Sequence, residues 1–288
     1  MDNSKMEAMY RSQLMGELKS LLLAVDGSPS SEGAIKEALL LSKSCGIRLT
    51  LLYVQGLSDT YESGGLTFVE HRDASIDDYF DRIRDDAVEE NVEMDIVIRR
   101  TDDPYKGIID EAVERKSDVI IMGRRGMTGL KRMLMGSVTA KVIAYAPCKV
   151  LVVPREASIK GEHIMLATDG SNYSDAAQNE AISMAQRCPH VKTFTALSVA
   201  SSDNKLDDTR RILDNVTSTA NRVGVNVDTM TTVGSPYESI VETAKNKGTN
   251  IIVMGTHGRT GINRLLMGSV AERVVALSPC SVLVVKAA

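Results

Sequence analysis

The sequence predicts an α/β protein of two tandem domains, each a doubly wound, five-stranded parallel sheet with helices on both faces. Three observations carry this. The chain repeats itself at a fixed offset, each half alternates short apolar runs with amphipathic stretches, and 288 residues comfortably make two domains of about 100–200 residues.

The repeat is explicit between residues 117–137, SDVIIMGRRGMTGLKRMLMGS, and 249–269, TNIIVMGTHGRTGINRLLMGS. Without a gap, 11 of 21 positions are identical at an offset of 132. That offset also lays Pro147-Cys148 on Pro279-Cys280 and Pro104-Tyr105 on Pro236-Tyr237. Near the front of each half, LLLAVDGS answers to IMLATDGS; Asp26 and Asp169 are 143 apart, so the first half carries a net excess of 11 residues. Most of that excess falls in residues 55–75, whose Gly64-Gly65 pair reads as loop. The junction is expected in the short polar stretch 154–161, giving domains over 18–155 and 161–288.

In the first half, residues 21–25, 49–54, 94–98, 119–122 and 150–153 are short β-branched or apolar runs, as expected of strands buried on both faces of a parallel sheet. In the second half, 164–168, 192–199, 225–231, 251–254 and 282–285 repeat the order. Between them, Ile76, Phe80, Ile83 and Ala87 keep helical spacing, and so do Tyr105, Ile108, Ile109, Ala112 and Val113. Asp102-Asp103-Pro104 and Gly234-Ser235-Pro236 read as helix starts, with an acidic or hydroxyl residue at the cap and proline at the first helical position. Strands alternating with helices imply right-handed crossovers and a sheet of order 3-2-1-4-5. The last strands, in CKVLVVP and CSVLVVK, lie at a sheet edge that needs a partner.

Composition removes several classes of function. A formal charge of -4 offers no polybasic field, so no nucleic-acid partner is expected. No apolar run approaches the ~20 residues of a membrane span, and the first residues lack a signal-peptide core. A cytoplasmic protein with no membrane partner is expected. Cys45, Cys148, Cys188 and Cys280 form no CxxC pair and read as reduced, mostly buried thiols.

The chemistry concentrates where strand four ends. Both halves carry G-x2-G-x9-G-S: Gly123, Gly126, Gly136 and Ser137, then Gly255, Gly258, Gly268 and Ser269. Glycines permit positive φ and close approach of backbone to a ligand, so N–H groups can line an anion-binding concavity. A helix beginning at Ser137 or Ser269 adds unpaired N–H groups, the positive end of its dipole and a hydroxyl. Together these suit phosphate. In the 3-2-1-4-5 order, strands one and four flank the switch point where ligands bind, so Asp26 and Gly123 face one crevice.

These residues resemble the nucleotide-binding subgroup of the universal stress protein family, across almost the whole chain and twice. The resemblance implies an adenine nucleotide alpha hydrolase-like fold. It also implies that the aspartate after strand one contacts adenosine, that the last valine of strand two offers its backbone to adenine, and that the glycine loop wraps ribose and phosphates. Carried over, the first site comprises Ala24, Asp26, Val54, Met122, Gly123, Gly126, Gly136, Ser137 and Val138. The second comprises Ala167, Asp169, Val199, Met254, Gly255, Gly258, Gly268, Ser269 and Val270. Arg125 and His257, which precede the second glycine, join the candidate set, and Asp102 stands where the second half has Gly234. The implied ligand is ATP, or ADP or AMP, with Mg²⁺ accompanying the phosphates. The final strands of the two halves would pair antiparallel as an intramolecular pseudo-dimer, and two chains would associate as a homodimer.

Several residues admit two roles. Arg124 and Arg125 are either neutralisers of a triphosphate or solvated loop residues. Asp26 and Asp169 either contact the nucleotide or cap the following helix through the DGS turn. Met122, Met135, Met254 and Met267 read as packing around the site. No G-x4-G-K-[ST] motif, serine or cysteine triad, or histidine-acid cluster of metal-ligand spacing occurs, so no catalytic residue is assigned. An ATP-binding regulatory module is therefore favoured over a nucleotide-hydrolysing or nucleotide-transferring enzyme using the same crevice, and over a nucleotide-free scaffold.

Overall fold

The computed structural model describes residues 18–56, 74–126, 135–156, 162–187, 191–258 and 267–286. The Gly64-Gly65 loop, the centre of the junction, the Cys45 thiol and Cys188 lie outside them.

The first half runs β1 (Leu21–Val25), α1 (Glu32–Cys45), β2 (Leu49–Gln55), α2 (Ala74–Glu89), β3 (Met94–Arg100), α3 (Pro104–Glu114), β4 (Val119–Gly123), α4 (Ser137–Tyr145) and β5 (Lys149–Val153). The second repeats it as β6 (His163–Ala167), α5 (Asn172–Arg187), β7 (Thr193–Ala200), α6 (Leu206–Arg222), β8 (Asp228–Val233), α7 (Pro236–Asn246), β9 (Ile251–Gly255), α8 (Ser269–Leu277) and β10 (Ser281–Val285). All ten strands form one sheet, ordered β3-β2-β1-β4-β5-β10-β9-β6-β7-β8. Each half is parallel in the order 3-2-1-4-5, as expected. At the seam β5 and β10 pair antiparallel, with Leu151 opposite Leu283. This joins two edges that would otherwise expose unpaired backbone.

Successive strand residues face opposite sides, and here both sides are apolar. Leu21, Leu23 and Val25 feed one layer with α1, α2, α5 and α6; Leu22 and Ala24 feed the other with α3, α4, α7 and α8. Each layer runs through both halves. Strands β1, β4, β9 and β10 are buried throughout, whereas the outer strands β3 and β8 are only partly covered. The expectation of strands buried on both faces fails for those two, because an outer strand has a neighbour on one side only.

Three local expectations also need correction. Residues 225–227 are not strand: Gly224 takes φ 75 and Val225 N–H donates to Ala220 O at 3.0 Å, closing the end of α6 before β8 begins. Val113 is exposed, and the buried position beside Ala112 is Glu111. Its carboxylate accepts from Arg99 Nε and Arg115 Nε, each at 2.5 Å. Pro104 and Pro236 do open helices, but neither Asp103 nor Ser235 makes a side-chain cap bond; Asp103 pairs with Lys106 Nζ at 2.6 Å instead.

Candidate functional site

The carboxyl ends of β1 and β4 lie side by side, Ala24 beside Met122, and those of β6 and β9 likewise, Ala167 beside Met254. Each first strand is followed by a DGS turn whose glycine, Gly27 or Gly170, takes positive φ of 77 or 71. The turn lets the aspartate accept hydrogen bonds from the chain beyond it. Asp26 Oδ1 receives Ser28 N–H at 3.1 Å, Ser28 Oγ at 2.7 Å and Ser31 Oγ at 3.1 Å; Asp169 Oδ1 receives Ser171 N–H at 3.0 Å. The turn-closing role is therefore realised in both halves, through one oxygen of each carboxylate.

The loop glycines do not serve through positive φ, as the sequence suggested; among the described residues none of the six motif glycines lies in that region. They serve through the space a side chain would fill. A β-carbon on Gly123 would stand 2.7 Å from Ser30 O, and one on Gly255 2.5 Å from Tyr173 O. One on Gly126 or Gly258 would stand 2.6 Å from Oδ2 of Asp26 or Asp169. The third glycines, Gly136 and Gly268, are extended N-caps at φ -62 and -63. Their N–H groups donate to Arg124 O at 3.1 Å and Thr256 O at 3.0 Å, tying each loop to the helix that follows. Ser137 and Ser269 open α4 and α8 at the expected residues. A nine-residue helix thus directs its N-terminus at each crevice.

In the second half this geometry encloses a cavity of about 560 Å³, a size suited to a small organic ligand. All ten residues expected there line it: Ala167, Asp169, Val199, Met254, Gly255, His257, Gly258, Gly268, Ser269 and Val270. Thr168, Ser174, Ser198, Lys205, Asp208, Thr209, Ile212 and Ile240 also line it and were not anticipated. Half of these, Lys205, Asp208, Thr209 and Ile212, stand in or just before α6, where no glycine motif marks them. The only cue in the sequence was that Ser198 adjoins Val199. His257 lies over Tyr173, ring centroids 5.1 Å apart, with Nδ1 3.2 Å from Thr256 Oγ1.

In the first half the corresponding residues occupy the same ends of β1, β2 and β4, but aromatic rings crowd the α2 side. Tyr53 meets Phe80 edge-on at 5.7 Å, and Tyr79 tilts against Phe80 at 6.0 Å. Burial, then the negative charge of Asp26, raises the Tyr79 hydroxyl's pKa. Val54 packs beside Gly107, where a β-carbon would meet its Cγ2 at 3.2 Å. Gly234, at φ 142, and Asp102, which is not among the positive-φ residues, begin the turns into α7 and α3 differently.

Arg124 fits neither role weighed from the sequence. Its Nη1 donates to Ser278 O at 2.8 Å, the C-cap of α8 in the other half. Burial, then adjacent Arg125, lowers its pKa. Lys286 Nζ reciprocates on Ala144 O of α4 at 2.7 Å. Burial pushes the thiols of Cys148 and Cys280 up to about 11, as suits packing residues without catalytic use. Among the described residues no group of three or more His, Cys, Asp or Glu is placed to hold a metal, and no helix is long and apolar enough to cross a membrane.

A doubly wound α/β chain with a glycine-built crevice at each switch point defines a class of small-ligand-binding proteins. The comparisons narrow it. The model of the universal stress protein family matches residues 17–154 and again 161–286, and the chain belongs to that family as a tandem member. It is 36% identical over 137 residues to universal stress protein MJ0531 of Methanocaldococcus jannaschii, covering 43% of this chain and 81% of that one. To YxiE of Bacillus subtilis it is 30% identical over 151 residues, covering 46% and 97%. A crystal structure of a universal stress protein from Archaeoglobus fulgidus superposes with a TM-score of 0.70 over 93% of this chain and 98% of that one, at 21% identity, which speaks for the fold.

Proposed function

We propose that the protein is a regulatory module that binds adenine nucleotide, ATP foremost, in the crevice of its second domain, with a related crevice in the first. The observation that carries this reading is the gathering of Asp169, the Gly255–Gly258 loop and the N-terminus of α8 around one 560 Å³ cavity. Backbone N–H groups and the α8 dipole suit phosphates, Asp169 suits the ribose, and the backbone of Val199 suits the base. The domains would span 18–155 and 161–288. Mg²⁺ arriving with the nucleotide would be held chiefly by its phosphates, as that ion commonly is. The reading carries no catalytic residue, places the protein in the cytoplasm and allows chains to pair as homodimers.

The test is mass spectrometry of nucleotide released from freshly purified protein, counted per chain, beside Gly258→Val. At least one adenine nucleotide per chain is expected, with one lost in the variant. Millimolar ATP should also raise the melting temperature, because a ligand of the folded state alone must stabilise it. No nucleotide, even after soaking in ATP, overturns the reading.

A further inference from the structure

The two halves differ where their first two helices face each other. With Asp169 laid on Asp26, Gln178 answers to Ile35 and Asp175 to Glu32. The buried Leu213, Val216 and Ala220 of α6 answer to Phe80, Ile83 and Ala87 of α2, which lays Asn215 on Arg82 and Arg211 on Asp78. In the first half this place is closed. Arg82 Nη2 donates to Glu32 Oε1 at 2.7 Å, clamping α2 to α1, and Ile35, 2% exposed, belongs to the core. In the second half Asn215 stands where the arginine would be, and a groove of about 410 Å³ opens between α5 and α6.

Gln178 lines that groove. It is 6% exposed, and its carboxamide makes no hydrogen bond among the described residues. Its polar atoms are not sealed off, as the unpartnered hydroxyls of Tyr79, Ser117, Ser198, Thr232 and Ser281 are; the little surface they keep opens into the groove. Among the described residues it is the only buried carboxamide. An amide left unpaired at a position that the first half fills with isoleucine costs stability, so packing does not explain it.

The charges beside it are separated rather than paired. On α6, Asp208, Arg211, Ile212 and Asn215 follow at i, i+3, i+4 and i+7 and form one stripe; on α5, Asp175 and Gln178 are i and i+3. Both helices cross back between parallel strands and so run the same way. Each therefore sets its acid about one turn nearer the crevice than its guanidinium or amide. Asp208 lines the main cavity as well and accepts from Lys205 Nζ at 3.3 Å. Arg211 and Asp175 both border the groove, yet they pair neither with each other nor with any other described residue. A bare anion there would meet two carboxylates, and a bare cation would meet Arg211. A molecule that carries both charges suits both ends.

We infer that the groove between α5 and α6 is a second binding site, for a small zwitterion of the free amino acid type. Its ammonium lies toward Asp175 and Asp208, and its carboxylate between Arg211 and the Gln178 amide. The site does not depend on the nucleotide reading, although Asp208 and Ile212 are walls common to both cavities.

The proteinogenic L-amino acids, offered singly at millimolar concentration to the full chain, test it by saturation-transfer NMR, with calorimetry on whichever binds. At least one should bind. Its methyl ester and its N-acetyl derivative, each lacking one of the two charges, should bind about tenfold more weakly or worse, as should the parent amino acid to Arg211→Gln. Gln178→Ile, copying the first half, should weaken binding while leaving the ligand-free melting temperature unchanged or raised. Gly258→Val, which blocks the crevice, should leave amino acid binding intact. Binding by none of the amino acids overturns the inference and leaves a hydrated groove. So does equal affinity for the ester and N-acetyl derivatives, or undiminished binding to Arg211→Gln, whose exposed position keeps that variant decisive even if Gln178→Ile folds less well. Loss of binding in Gly258→Val alone places the amino acid in the crevice and also overturns it.

Discussion

Gly258 and Asp169 are fitted to one another: a β-carbon on the glycine would stand 2.6 Å from Asp169 Oδ2, and Gly126 stands to Asp26 in the same way. The second glycine of each motif is thus the floor on which the carboxylate of the preceding DGS turn rests.

Gly258→Ala should displace the Asp169 carboxylate, whose other oxygen is held by Ser171 N–H. Because a side-chain oxygen yields more readily than backbone, stability should fall by less than about 1–2 kcal/mol. Nucleotide affinity at that crevice should fall tenfold or more. Paired calorimetry and thermal unfolding measure both, and a variant that binds ATP like wild type would refute the pairing of glycine with ligand contact.

Gly255→Ala should do the reverse. Its β-carbon would strike the backbone of Tyr173, at 2.5 Å from O and 2.7 Å from C, at the start of α5. Overpacking against backbone costs about 1–3 kcal/mol or more. Chemical denaturation should show that loss in ligand-free protein, and a midpoint unchanged from wild type would show that the chain can part there freely.

Arg124→Met removes the charged hydrogen bond to Ser278 O across the seam, leaving a carbonyl at the end of α8 without that donor. The expected loss is about 1–3 kcal/mol, a melting temperature lower by several degrees. Thr256, the counterpart of Arg124 in the repeat, makes no such crossing among the described contacts, so Thr256→Ala should leave the seam intact. Equal melting temperatures for Arg124→Met and wild type would sink the prediction.

Burial alone would raise the Glu111 carboxyl's pKa, but hydrogen bonds and charge from Arg115 and Arg99 outweigh it and hold it below the ordinary 4.5. A folded-state value depressed in this way contributes stability that is present above pH 4.5 and lost as pH falls from there through the lowered value. Glu111→Gln should cost about 1–3 kcal/mol at pH 7, because both guanidinium groups reach solvent and soften the loss. It should also flatten the acid side of the stability profile. Wild-type and variant profiles running parallel below pH 4.5 would refute the assignment.

The sequence by itself determined the architecture and named about half of the residues that line the second-half cavity. Runs such as LLLAV and VIIMG are apolar on both faces, as a covered parallel strand requires, and the repeated G-x2-G-x9-G-S places the helix starts at Ser137 and Ser269 without reference to anything distant. Family likeness supplied the expected contacts of Asp169 and Val199 and the antiparallel meeting of β5 and β10, of which the sequence itself showed only an edge in need of a partner. What tertiary structure decided lies where residues far apart in the chain meet. Val113 is exposed and Glu111 buried because Arg99, on a neighbouring strand, waits for the carboxylate; helical spacing alone cannot tell those faces apart. Arg124 reads as either a phosphate contact or a solvated loop residue until the other half sets Ser278 O beside it, a separation of 154 residues. Ser198 sits in an unremarkable strand, and that its hydroxyl is buried without a partner among the described residues, while those of Thr168, Ser174 and Thr209 find one, shows only when α6 folds over β7. Local pattern records the periodicity of backbone hydrogen bonding and burial; who satisfies a given polar group is settled by contacts that no local pattern contains.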